Sequence, residues 1–123
     1  MIGAGLSTLV VALLAQAAFV KGPLDIEVPD AILDLHNQYG ACWDKKFDVA
    51  RVRDQAGLRK ETERAISACA EEKVFLERAA DARLARTSDY SDPTRRRAAV
   101  AEAFDGWDRV HRAMAAGGGT SSR

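Results

Sequence analysis

CWDKKFDVARVRDQAGLRKETERAISAC, residues 42–69, opens and closes on the chain's two cysteines. Near its middle, residues 53–57 (RDQAG) carry the best turn signal of the central chain, with Gly57 free to take a left-handed helix cap. The pattern on both sides is helical. Before the turn, Ile32, Leu35, Tyr39, Cys42, Lys46 and Val49 recur at spacings of three and four, with His36, Gly40, Trp43, Phe47 and Ala50 alongside. After it, one stripe runs through Ile66, Cys69, Lys73, Leu76, Ala80 and Leu84. An antiparallel hairpin would bring the two cysteines level, because they lie nearly equidistant from the turn, and each stands on the stripe facing the other helix. The expectation is therefore a disulfide between Cys42 and Cys69, closing a loop of about 28 residues and contributing roughly 3–4 kcal/mol. Trp43 would pack over it, towards a third helix.

The rest of the hairpin follows from this reading. Pro29 at a first helical position, followed by Asp30, opens the first helix, in which Gly40 is a mild cost and a point where a kink is expected. The second helix should span 58–86. Ala68, Phe75, Ala79 and Ala82 give it a second apolar stripe, so it is expected to touch two neighbours. Residues 87–93 form a loop ending in Asp92 as N-cap and Pro93 at the first helical position of a third helix. That helix has the cleanest periodicity: Val100, Ala103, Phe104, Trp107, Val110, His111 and Met114. Asp105 with Arg109, and Asp108 with Arg112, are spaced as exposed acid-before-base pairs. Gly117 caps the helix, and residues 117–123 read as a disordered tail. The fold class is all-α: a stapled helical hairpin with a third packed helix over residues 29–116, following an N-terminal hydrophobic segment.

Whether the cysteines oxidise depends on the compartment. Residues 1–20 carry no charged side chain. An apolar run over residues 6–15 is followed by Ala15, Gln16 and Ala17, the small-x-small pattern read by signal peptidase, with cleavage between Ala17 and Ala18. Residues 1–17 are thus expected to be a signal peptide, and residues 18–28 an extended leader in which LDIEV alternates apolar and acidic positions. A retained anchor reaching residue 20 is the rival, since 20 apolar residues just span a bilayer. Small and polar residues within it, and Lys21 after it, weaken that rival. The expected location is periplasmic or secreted, with membrane contact only if the segment is kept.

Eighteen basic and eighteen acidic residues cancel to a formal charge of zero, which gives no general attraction to nucleic acid or anionic membrane. There is no Cys-x-x-Cys for redox work, no Gly-rich phosphate loop and no nucleophile elbow. A zinc site would have to combine His36 or His111 with the cysteines, yet His36 and Cys42 fall on different helical faces. No cofactor, metal or enzymatic activity is expected. Arg95, Arg96 and Arg97 stand in the first turn of the third helix, where the helix dipole disfavours them. They are a candidate surface for an acidic protein partner, unless Asp89, Asp92 and the acidic leader answer them. With the leader, LHNQYGACWDKKF and TERAISACAEEKVFLERA, the chain resembles the small exported two-cysteine helical proteins of Gram-negative bacteria. That resemblance implies export and a staple but no activity.

Overall fold

The computed structural model describes residue 22 and residues 24–117. Within them the fold is all-helical: α1 (Leu33–Lys46), α2 (Gln55–Ala68), α3 (Ala70–Leu84) and α4 (Pro93–Ala115), with 3-10 turns at Asp30–Ile32, Val49–Arg51 and Ser88–Tyr90. The cleavage site at Ala15, Ala17 and Ala18, the hydrophobic segment and the tail beyond Gly117 lie outside the described residues.

The hairpin is present, and its second arm differs from expectation in two ways. It begins earlier, because the Asp54 side chain accepts the Gly57 N–H at 2.7 Å and caps α2. Gly57 is therefore inside the first turn and is not a left-handed cap; that conformation belongs to Gly117, at φ 76°. The arm also bends at Cys69, whose φ of −102° and ψ of 9° leave the helical region. The Cys69 N–H lies between the carbonyls of Ala65 and Ile66, at 3.1 and 3.2 Å. No glycine or proline marks this break. The bend accompanies the covalent tie and lets both α2 and α3 pack along α4.

Helix α1 stops at Lys46, with Phe47 extended, so Val49 lies on a separate 3-10 turn and is exposed rather than continuing the stripe. Glu61 and Arg64 hold the connection: Glu61 accepts the Asp48 N–H at 2.8 Å, and Arg64 reaches Glu61 and the Lys46 carbonyl. Helix α4 starts as expected, Asp92 accepting the Arg95 N–H at 3.2 Å ahead of Pro93. Its stripe is buried or half-buried as far as His111, while Met114 is exposed.

The core joins Ile32, Leu35 and Tyr39 of the first arm to Leu76, Ala80 and Leu84 of α3 and to Val100, Ala103 and Phe104 of α4. Helix α3 does touch two neighbours, α1 and α4, through a single face. Its second apolar stripe is only partly covered: Ala79 packs against the core, while Phe75 is 71% exposed and Ala82 and, at the end of α2, Ala68 are exposed with it. The leader is docked, with Val28 packed against the core and Ile26 lying close over Gly106 of α4.

Candidate interaction surface

Cys42 and Cys69 are joined, with their Cα atoms 6.2 Å apart, tying the middle of α1 to the bend between α2 and α3. Cys69 is fully buried and Cys42 nearly so. Both sulfurs are therefore unavailable as thiolates or metal ligands.

Two buried clusters fix α4 against this hairpin. In the first, the Tyr39 hydroxyl donates to Asp108 at 2.7 Å, and the Lys73 ammonium donates to the other Asp108 oxygen at 2.9 Å and to Asp105 at 2.5 Å. Asp108 is only 3% exposed. Burial, followed by the hydrogen bond to Asp108, pushes the Tyr39 phenol far above its usual range. Burial disfavours the Lys73 charge, but the hydrogen bonds to Asp105 and Asp108 outweigh it, and the ammonium is held charged. A tyrosine locked protonated and a lysine locked charged cannot serve as bases near neutral pH. The cluster is a structural tie. It also displaces the expected surface pairs: Asp105 and Asp108 serve Lys73, while Arg109 pairs with Glu102 and Arg112 with Glu63.

The second cluster is aromatic. The His111 ring centroid lies 4.4 Å from those of both Trp43 and Trp107, and Trp43 stacks on Phe47 at 4.6 Å. Trp43 thus reaches α4 as the sequence suggested. The Nδ1 atoms of His36 and His111 lie 2.7 and 2.8 Å from the carbonyls of Ala103 and Trp107, so each carries a proton to donate. The indole N–H groups of Trp43 and Trp107 are buried without an acceptor among the described residues. Among those residues no group of three or more His, Cys, Asp or Glu is placed to hold a metal ion.

The three arginines are divided among separate tasks. Arg96 binds Asp81 at 3.0 Å and the carbonyls of Tyr90 and Ser91, pinning the loop before α4. The Arg95 guanidinium lies 5.3 Å from the centre of the Tyr90 ring. Arg97 lines a shallow groove between α3 and α4 with Val74, Arg78 and Ala101. Of the acids expected to answer this run, Asp92 instead caps the backbone, while Arg96 takes Asp81.

Phe75, on the outer face of α3, is the exposed aromatic among the large hydrophobic residues left in water, which also include Val49, Met114, Leu24 and Leu33. Phe75 shares a groove with Ala68, Glu71, Glu72, Lys46 and the edge of Cys42. Beyond it, Val74 is 45% exposed beside Arg78. Its signal lay in the sequence as the second stripe of α3, which was assigned to the interior. No protein-family model, curated protein or solved structure matches the chain. Among the described residues no helix is long and apolar enough to cross a membrane.

Proposed function

We propose that this chain is a small exported, non-enzymatic interaction protein of a Gram-negative cell envelope, binding another protein through the outer face of α3. One observation carries the reading: a large aromatic side chain, Phe75, stands 71% exposed on a helix that is covalently tied and packed on its other side. Burying a phenylalanine is worth about 1.5–3 kcal/mol, so a rigid surface that leaves one in water has binding energy in reserve. The disulfide removes freedom from the hairpin before any partner arrives, which lowers the entropic cost of association. The same bond suits a non-reducing compartment.

A photo-crosslinking amino acid at position 75, compared with one at exposed Lys60, tests the binding face in the producing cells. Discrete adducts at 75 and none at 60 are the expected result. Identical patterns at both positions would remove the basis of the reading. Export is tested separately by non-reducing intact mass, which should show loss of residues 1–17 and a chain two hydrogens lighter than its dithiol form.

A further inference from the structure

The uncovered face of α3 has an internal symmetry. Reversing the helix about Phe75 places Glu71 on Ala79 and Glu72 on Arg78. All of these lie within about 60° of the Phe75 direction on a 3.6-residue helix. All are exposed except Ala79, which is half-buried. Neither Glu72 nor Arg78 makes an ion pair among the described residues, although six other arginines do.

From this pattern we infer that the partner of the α3 face is a second copy of the same chain. The two α3 helices cross antiparallel on a two-fold axis through Phe75. An isologous interface requires a patch that complements its own reverse, and these residues satisfy that requirement. Phe75 meets its mate on the axis. Glu72 of each copy faces Arg78 of the other, giving two ion pairs. The groove beside Phe75 formed by Ala68, Glu71 and Glu72 receives the far half of the partner helix. An unrelated acidic helix would satisfy Arg78 and Arg97 but would set its charge against Glu71 and Glu72. A second copy satisfies both ends together.

The self-complementary stripe from residue 71 to residue 79 is about 12 Å long. Such a patch falls below the roughly 800 Å² per partner of a standard stable interface. The dimer is accordingly weak and transient. The inference rests on the interaction reading given above but can fail without it.

Sedimentation equilibrium on the oxidised, processed protein from about 1 µM to 1 mM is the decisive measurement. The natural chain should dimerise within that range. Phe75→Ser should weaken the dimer more than tenfold. Glu72→Arg and Arg78→Glu, each placing like charges opposite one another twice per dimer, should each weaken it about threefold to tenfold. The double variant E72R/R78E restores both pairs with their signs exchanged and should return to within about twofold of the natural chain. Far-UV circular dichroism checks that every variant is folded. A chain monomeric at 1 mM, or a double reversal no better than either single one, overturns the inference. In that case a heterologous adduct at position 75 would leave the interaction reading standing, and absence of any adduct would end both.

Discussion

Asp108 was expected on the surface as one half of a pair with Arg112, and it is instead an almost wholly buried carboxylate with two donors. Removing it strands the Lys73 charge with only Asp105, and leaves the Tyr39 hydroxyl without an acceptor. Asp108→Ala should therefore cost about 3–5 kcal/mol in urea unfolding. Tyr39→Phe deletes one hydrogen bond and should cost about 1–2 kcal/mol. Because both act on one network, the double variant should lose clearly less than the sum of the two. Equal losses for the two single variants would show that the lysine is indifferent to its buried partner. Gly40 gives a second residue-scale test in which two effects oppose each other. Helix propensity alone favours Gly40→Ala by about 1 kcal/mol. A Cβ there, however, would stand 2.8 Å from the Trp107 ring, which is wedged among Tyr39, Trp43, His36 and His111. The overlap dominates, and the variant should be destabilised by about 1–3 kcal/mol. The glycine marks a close approach of α1 to α4.

At the scale of elements, two glutamates on the bent arm should respond to pH in opposite senses. Glu61 in α2 is held low, at about 2, by Arg64 and by the Asp48 N–H, against the cost of its burial. Its stabilisation is present above the unfolded value of about 4.5 and is lost as pH falls from there towards 2. Glu61→Gln should flatten the acid limb of the stability profile and loosen the connection between α1 and α2. Glu77 in α3 is raised, first by burial and then by the charges of Asp105 and Asp108, against the attraction of Lys73. Its ionised form opposes folding, so Glu77→Gln should stabilise the protein at neutral pH, with the gain vanishing at pH values low enough to protonate the native glutamate. A gain that persists unchanged in acid would mean the effect is packing and not charge. These elements also show how far the sequence could be read. Helix α4, its cap and its buried stripe were legible because Asp92, Pro93 and a regular apolar period act locally. The cysteine pairing was legible because a hairpin leaves few options for two positions level with each other. The bend at Cys69 was not, since ISACAEE holds no glycine or proline; the break coincides with the covalent tie and with the packing of both α2 and α3 on α4. The destination of the second stripe on α3 was also hidden. Periodicity reveals that a face is apolar without revealing whether the same chain covers it, and for Phe75 it does not.

For the whole molecule, the question is how much of the stability of a small helical domain comes from its one covalent tie. The core is modest: the largest fully buried side chains are Tyr39, Phe104, Ile32, Leu76 and Leu84. Domains of this size have about 5–15 kcal/mol in all. Cys42 and Cys69 are 27 positions apart, so their bond removes roughly 3–4 kcal/mol of loop-closure freedom from the unfolded chain. That is a substantial part of the total. Replacing both cysteines by alanine should lower the melting temperature by roughly 12–32 °C, on the scale of about 4–8 °C per kcal/mol for a domain of this length. The entropic account makes a further demand. If the bond acts on the unfolded ensemble, the cysteine-free variant at low temperature should keep its helical circular dichroism and its tryptophan environment, because Trp43 and Trp107 are held by packing with His111. If the helical signal falls along with the melting temperature, the staple instead creates the native packing of α1 against α3. If neither changes, α4 alone holds the hairpin closed, and the rigidity assigned to the α3 face has another source.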